Sequence, residues 1–202
     1  RALTLRRDDP PADGVAFCVR MRSNVRMTTR HDGRGYDAAR AIRIEPGVMR
    51  HPEGSVIYRS GDTAVLVAAS VDEGRPPWLN KPGQGWVTAE YAMHPRANPR
   101  RQNREGRKGS IGGRTAEIQR LIARSLRAAV DLEQLGERTI SVDCDVLDAD
   151  GGTRTASVTG GFVALAMALD GLRKRGLVKK GVLREPIAAI SVGLFHGHPI
   201  LD

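Results

Sequence analysis

The sequence predicts an α/β (α+β) fold in which β-hairpins come first and strand–helix units follow. Residues 41–91 contain short apolar and β-branched runs separated by Gly and Pro turns, which is typical of hairpin strands. Beyond residue 113, two helix-like apolar segments flank a strand-like run. With 202 residues, 40% hydrophobic and 27% charged, the chain is expected to fold as one compact globular unit.

The hairpin strands lie in the first half of the chain. Residues 41–48 alternate isoleucine with polar residues before a Pro-Gly turn, which predicts a short strand. Residues 54–71 predict a hairpin with a Ser-Gly-Asp turn, and its second strand is apolar enough to be buried. Residues 86–91 predict a further strand after a loop rich in Pro and Gly.

A long basic segment separates this half from the first helix. Residues 94–113 contain almost no apolar side chains, which predicts a loop that is either functional or disordered. From Ile118 to Val130, apolar residues fall at helical spacing and arginines take the opposite side, which predicts an amphipathic helix.

The last third of the chain predicts a strand–helix–strand unit. Residues 139–147 alternate apolar and polar side chains, as in a strand with one apolar face. A glycine-rich turn then leads into an apolar, Ala-rich helix that ends near Gly176. Residues 188–195 predict a last strand, and residues 196–199 predict a turn.

The charge balance favours a polyanionic partner. Lys and Arg outnumber Asp and Glu by 32 to 23, which gives a formal net charge of +9. A field of that sign raises the local concentration of polyanions, so nucleic acid is the leading candidate. A basic surplus can also serve solubility alone, so the placement of the arginines must decide between the two interpretations.

Composition argues against a secreted or membrane protein. Cys18 and Cys144 lie far apart without C-x-x-C spacing, which argues against a disulfide framework or a thiolate metal site and favours a reducing cytoplasm. No apolar run is expected to approach the roughly 20 residues of a membrane-spanning helix. The first twenty residues lack the apolar region of a secretory signal, and we expect a natural start at Met21 or Met27.

Two glycine-arginine-threonine segments open the two predicted helices. They are Gly-Gly-Arg-Thr at 112–115 and Gly-Gly-Thr-Arg-Thr at 151–155. The glycines allow a tight turn, the first N–H groups of the helix attract an anion, and arginine matches a phosphate with two donors. One such segment alone is more often an ordinary helix start with an exposed arginine. Two of them beside a basic loop favour phosphate binding.

The basic loop contains many hydrogen-bond donors. Its cationic residues are Arg96, Arg100, Arg101, Arg104, Arg107 and Lys108, and asparagine and glutamine interleave with them. That mixture suits a sugar-phosphate backbone, although a merely solvated charge run remains the alternative. No aromatic residue interleaves, so stacking on bases is not expected. Lys108 and Ser110 stand in the wrong order for a nucleotide P-loop.

Four aspartates and two histidines are the remaining candidate metal ligands: Asp143, Asp145, Asp148, Asp150, His196 and His198. The first two aspartates share one strand face, and hard divalent ions take carboxylate oxygens. The other two lie in a turn, where aspartate more often bonds backbone N–H groups. The histidines flank a glycine without a third ligand nearby and are interpreted as surface residues.

Several segments carry the motifs of a known family: Gly-Gln-Gly-Trp-Val-Thr-Ala-Glu-Tyr at 83–91, Pro-Arg-Ala at 95–97, Gly-Arg-Thr-Ala-Glu-Ile-Gln-Arg-Leu-Ile at 113–122, and residues 136–147 and 149–157. Together they resemble the ribonuclease PH family. The resemblance implies a ribosomal protein S5 domain 2-like β-sheet packed on helices. It covers residues 27–202 as a catalytic domain that is incomplete at its C-terminus, and residues 1–26 are expected to be a disordered extension outside the family.

The resemblance also implies an activity, phosphate-dependent 3′ to 5′ exoribonuclease action that trims tRNA ends. Inorganic phosphate is the co-substrate, nucleoside diphosphates are the products, and the reverse reaction is nucleotidyl transfer. The residues implied for phosphate are Arg114, Gly152, Thr153 and Arg154, and those implied for RNA are Arg96, Arg101 and Arg104. Mg²⁺ is implied as the cofactor, with Asp202 matching the first of two metal-binding aspartates and the second absent from the chain.

The resemblance implies partners and a compartment as well. These are tRNA precursors and other RNA 3′ ends, including those of rRNA, and a cytoplasmic hexameric ring built as a trimer of dimers. Three alternatives stay open: a non-catalytic RNA-binding ring subunit, an inactive fragment of the enzyme, and a basic ribosome-associated protein.

Overall fold

The computed structural model describes residues 30, 32–105 and 109–202. The predicted extension at residues 1–26, with Cys18, lies outside these residues. Within them the chain forms a five-stranded sheet, two long helices and a separate two-stranded hairpin. This mixed architecture, a sheet packed against helices, confirms the predicted fold class.

Five strands make the main sheet: β1 (Ile42–Pro46), β2 (Gly54–Ser60), β3 (Thr63–Glu73), β4 (Trp86–Met93) and β5 (Arg138–Asp148). Their spatial order is β1-β2-β3-β5-β4, and only β4 and β5 are parallel neighbours. A parallel pair needs a crossover, and helix α1 (Gly113–Ala128) supplies it. The carboxyl ends of β4 and β5 therefore lie side by side, so the segments that follow the two strands begin at one edge of the sheet.

The helices cover one face of the sheet. Helix α1 packs on β4, and helix α3 (Thr153–Lys174) packs on β2 and β3. Apolar side chains of α1, α3 and the sheet form one continuous core, which includes the fully buried Ile122, Leu126, Val142 and Leu165. Because this core fixes both helices against the strands, the positions of the two helix starts are also fixed.

Helix α3 corrects one sequence expectation. Its 22 residues have a window of mean hydropathy 1.4, which by length and composition alone is enough to cross a membrane. The expectation that no apolar run approaches that length is therefore wrong for this helix. Most of its apolar side chains are buried against β2, β3 and β5, so the core of the protein accounts for its composition.

A glycine sets the approach of α3 to the sheet. A Cβ atom built on Gly54 would overlap the backbone carbonyl of Ala164 in α3. We predict that Gly54→Ala lowers the free energy of unfolding by about 1–3 kcal/mol, the range for overpacking a core. Urea unfolding monitored by circular dichroism checks this. The matched control is Gly171→Ala in α3, where the added methyl meets no atom within 4 Å and should not destabilise.

The structure differs from the prediction after residue 130. A short helix α2 (Leu132–Leu135) was not predicted, and Asp131 caps it by accepting hydrogen bonds from the N–H groups of Glu133 and Gln134. The strand predicted over residues 188–195 is shorter in the structure, where β6 spans Val192–Phe195. The Thr159 hydroxyl accepts a hydrogen bond from the Ala189 N–H and donates one to the Ala189 carbonyl, so these groups do not pair with another strand.

The predicted turn at 196–199 is also shorter in the structure. It occupies residues 196 and 197, and strand β7 (His198–Leu201) then pairs with β6. His196 takes a positive φ of 48° in this turn, which lets the chain reverse over two residues.

Candidate phosphate and RNA site

A cavity of about 940 Å³ opens where the carboxyl ends of β4 and β5 meet. The loop that follows β4, the start of α1, the turn that follows β5 and the start of α3 all line it. Its lining includes Tyr91, Arg104, Arg114, Asp143, Thr153 and Arg154. The two glycine-arginine-threonine segments, which are far apart along the chain, therefore face the same space.

Neither helix start is capped by a side chain. Gly112 precedes α1 in an extended conformation and Gly152 precedes α3 in the left-handed conformation, with φ of 64°. Neither helix has an acidic residue in its first turn. Helix starts normally satisfy their first N–H groups with a side-chain oxygen, so these two are suited to an anion from outside the chain.

Two side chains hold the turn that leads into α3. The buried Thr63 hydroxyl donates to the Gly151 carbonyl at 2.6 Å and accepts from the Asp150 N–H at 3.0 Å. The Arg40 guanidinium donates to the carbonyls of Asp150 and Gly151 at 2.9 and 3.3 Å. The turn is thus fixed from the sheet side, which preorganises the α3 start.

We predict that Thr63→Val loosens this turn. The change removes both hydroxyl bonds and leaves the Asp150 N–H without that partner, which costs about 1–3 kcal/mol of stability. Urea unfolding measures the loss. Thr88→Val serves as the control, since Thr88 lies in the middle of β4, which β5 separates from β3, and away from the turn. An unchanged free energy of unfolding for Thr63→Val would contradict the role of Thr63 in holding the turn.

The Asp202 carboxylate is bound by arginine. Its Oδ2 accepts from the Arg40 backbone N–H at 2.8 Å and from Arg40 Nε at 2.9 Å, and its Oδ1 accepts from Arg40 Nη2 at 2.6 Å. Arg34 lies 3.5 Å from Oδ2. The hydrogen bond from Arg40 lowers the pKa of Asp202 to about 2.

We predict a pH signature of this pair. A carboxyl whose folded pKa lies near 2, below its ordinary 3.8, stabilises the fold above pH 3.8. Asp202→Asn should then cost about 2 kcal/mol at pH 6, and the difference from the unsubstituted protein should shrink as the pH falls from 4 toward 2. Urea unfolding at a series of pH values checks this. A difference independent of pH would contradict the ion pair.

The described residues do not form a ready metal site. No group of three His, Cys, Asp or Glu side chains with the spacing of a metal site occurs among them. Both oxygens of Asp202 are engaged by Arg40, and a cation would have to displace that arginine. In this structure Asp202 thus forms an ion pair with Arg40, and Mg²⁺ as the cofactor and Asp202 as its ligand stay predictions.

The predicted phosphate-binding arginines both border the cavity. Arg114 is exposed at the start of α1, and Arg154 lies 3.3 Å from Glu117 of α1. This exposed ion pair joins the first turn of α3 to the second turn of α1 and leaves the Arg154 guanidinium partly exposed.

The predicted RNA-binding arginines separate into two groups. Arg104 lines the cavity, whereas Arg96 and Arg101 are exposed outside it. Arg96 donates to the Pro99 carbonyl at 2.8 Å, which folds the loop back on itself. The described parts of the predicted loop, residues 94–105 and 109–112, contain no helix or strand, as expected.

The acidic residues lie on one side of the cavity. Asp143 and Asp145 share one face of β5, as predicted, and Glu90 of β4 lies beside Asp143 in register. Burial, followed by the charge of Asp145, raises the pKa of Asp143. Asp150 was expected to bond backbone N–H groups, but its carboxylate pairs with Arg40 at 3.2 Å.

A comparison with family models identifies the family of the chain. The model described as 3′ exoribonuclease family (RNase_PH), domain 1, matches residues 38–169, which is more than half of the chain. The chain belongs to the 3′ exoribonuclease family. The matched residues include Arg40, the loop arginines and both helix starts, whereas Asp202 lies outside the match.

Solved structures of exosome subunits have the same fold as this exoribonuclease-family chain. Rrp46 of rice (Oryza sativa) superposes with a TM-score of 0.68 at 22% identity, over 86% of this chain and 72% of that one. A structure described as the Archaeoglobus fulgidus exosome with RNA bound to the active site gives 0.68 at 26% identity, over 86% and 70%. An archaeal exosome core gives 0.64 at 24% identity, over 86% and 68%.

Sequence reasoning missed two polar residues of this exoribonuclease-family site. Arg40 and Thr63 hold the turn before α3, but each contacts residues about 90 to 160 positions away. For Arg40 the available signal was the segment Asp37 to Arg40, which resembles the entry motif of the ribonuclease PH family. The predicted surface histidines are confirmed for His196, which is exposed, whereas His198 is half-buried and stacks on Tyr36.

Proposed function

We propose that this chain is a phosphorolytic 3′ to 5′ exoribonuclease that trims the 3′ ends of tRNA precursors. One observation carries the proposal: two helix starts without side-chain caps, each bearing an arginine, face a single cavity beside a basic loop. Inorganic phosphate is the proposed occupant because helix N–H groups and guanidinium groups both bind phosphate oxygens, and both border this cavity.

The proposed reaction is a phosphoryl transfer without a covalent enzyme intermediate. Arg114, Arg154 and the first N–H groups of α3 hold inorganic phosphate, while Arg104 and the loop arginines hold the RNA backbone. A phosphate oxygen attacks the phosphorus of the last linkage, and the bond from that phosphorus to the 3′ oxygen breaks. The proton of hydrogen phosphate goes to the 3′ oxygen, which leaves a shortened RNA and a nucleoside 5′-diphosphate.

The protein contributes position and charge to this reaction. Attacking and attacked groups are both anionic, so fixed cations and helix N–H groups reduce their repulsion as they approach. Mg²⁺ belongs to the proposal only through the resemblance, and no step above depends on it. We further propose that the chain assembles into an oligomeric ring, supported by the fold shared with exosome subunits. That the ring is built from identical subunits and lies in the cytoplasm is proposed through the resemblance alone.

A second function has its own observation. A non-catalytic RNA-binding ring subunit would need the basic loop but no metal, and the engagement of Asp202 by Arg40 favours that alternative. The two proposals differ in one property, namely whether phosphate is consumed.

The experiment that separates them uses the full chain with Mg²⁺ and a tRNA precursor bearing extra 3′ nucleotides. Phosphate-dependent release of nucleoside diphosphates supports the exoribonuclease, and binding of the RNA without release supports the ring subunit. An unstructured RNA of equal length tests the tRNA preference. Equal rates on the two RNAs would contradict trimming of tRNA as the specific function.

A further inference from the structure

Tyr91 lines the same cavity as the two proposed phosphate-binding arginines. Its ring is buried in the core at 4% exposure, and it lines the cavity together with Arg114 and Arg154. Its hydroxyl lies 2.9 Å from Oγ1 of Thr153, the first residue of α3. A core tyrosine of β4 therefore contacts the start of the helix proposed to bind phosphate.

The direction of that hydrogen bond follows from the chemistry of an anion. Phosphate oxygens act mainly as hydrogen-bond acceptors, and the Thr153 hydroxyl has one hydrogen to donate. If Thr153 donates to the phosphate, its oxygen can still accept a bond, and Tyr91 is the group that lies at that distance. In this arrangement Tyr91 donates to Thr153 Oγ1 and Thr153 donates to the phosphate, so both contacts are satisfied.

The hydroxyl of the nearby Thr155 already forms a hydrogen bond within the turn. The Thr155 hydroxyl donates to the Gly152 carbonyl at 2.8 Å, so its hydrogen points back into the turn. Of these two threonines, Thr153 is therefore the one whose hydroxyl contacts a second hydroxyl, that of Tyr91. Burial raises the pKa of Tyr91, so its phenol stays protonated and remains a donor at neutral and mildly alkaline pH.

We infer that Tyr91 is a positioning residue of the phosphate site, donating to Thr153 Oγ1 and thereby directing the Thr153 hydroxyl hydrogen at the bound phosphate. The inference rests on the proposed phosphate site and adds a residue that acts through another. The competing explanation is a purely structural bond, in which Thr153 only satisfies a buried phenol.

Tyr91→Phe separates these explanations because it removes one oxygen and keeps the ring in the core. We expect the KM for inorganic phosphate to rise about twofold to twelvefold, the equivalent of one lost neutral hydrogen bond, with kcat changed by less than about twofold. Thr153→Val removes the intermediate hydroxyl. In that background Tyr91→Phe should have no further effect on the KM, since the path through Thr153 is already absent.

Thr139→Val is the control. It also removes one hydroxyl, which donates to the Gly74 carbonyl at 2.9 Å, but Thr139 lies near the start of β5, away from the cavity, and its variant should leave the KM for phosphate unchanged. Thermal unfolding of all variants reports any loss of stability separately. A Tyr91→Phe protein that is less stable but has an unchanged KM would establish the structural explanation and overturn the inference.

Direct binding of inorganic phosphate, measured by calorimetry, keeps this test independent of turnover. If the chain binds phosphate but releases no nucleoside diphosphate, the proposed function fails and the dissociation constants still report on Tyr91. A weaker constant for Tyr91→Phe that is absent in the Thr153→Val background supports the inference. An equal effect in both backgrounds, or no phosphate binding by the unsubstituted protein, overturns it.

Discussion

Replacing Arg114 and Arg154 together with alanine should lower kcat/KM for phosphate by about 10²- to 10⁴-fold, since each charged hydrogen bond contributes roughly 1.5–3 kcal/mol. The two guanidinium groups border one cavity from two helices, so either one alone should still bind the phosphate, but more weakly than both together. Nucleoside diphosphate release at varied phosphate concentration measures the effect. The single variants should be intermediate.

A charge-matched control is available on the same helix as Arg114. Arg120 and Arg124 of α1 are exposed and lie outside the cavity. Their double alanine variant loses the same net charge, and at constant ionic strength its kcat/KM should stay within about twofold of the unsubstituted protein. Equal losses in both double variants would show that the net charge, rather than the site, determines activity.

Replacing Arg96, Arg101 and Arg104 with alanine should weaken binding of single-stranded RNA by about 10²-fold at 0.1 M salt. Each phosphate contact adds roughly 0.7 to the slope of the logarithm of affinity against the logarithm of salt, so three contacts should remove about 2 from that slope. Fluorescence anisotropy with a labelled RNA across a salt series measures both quantities. Arg104→Ala should also slow phosphorolysis, because Arg104 alone of the three lines the cavity.

The control for this series removes three exposed arginines elsewhere, Arg120, Arg124 and Arg175. Long-range attraction depends on net charge, and both triple variants lose the same charge. Only the loop variant should show a smaller slope of the logarithm of affinity against the logarithm of salt. If the two variants shift the slope equally, the loop is a solvated charge run and the RNA contacts lie elsewhere.

Local patterns were sufficient to predict most of the fold. The hairpin of β2 and β3, the alternation of β5 and the helical spacing of α1 are periodic signals that depend on neighbouring residues alone. Short elements such as α2 and β7 were missed or misplaced, because four residues carry too little periodicity. Thr159 shortened β6 through a bond that no local pattern contains.

The site was predictable in its parts and not in its assembly. The glycines and arginines at both helix starts stand out in the sequence because the chemistry of anion binding is local. That they face one cavity depends on the parallel register of β4 and β5, which hydrophobic periodicity does not specify. The contacts of Arg40 and Tyr91 join residues separated by 62 to 162 positions, so only the folded chain brings them together.

The central claim is that phosphate itself is the nucleophile, and isotopically labelled inorganic phosphate tests it most directly. The full chain is incubated with an RNA, Mg²⁺ and ³²P-labelled phosphate, and the mononucleotide products are separated. We predict label in the β-phosphate of nucleoside diphosphates, and loss of that label in the Arg114→Ala, Arg154→Ala variant. Unlabelled nucleoside monophosphates formed at a rate independent of phosphate would contradict it.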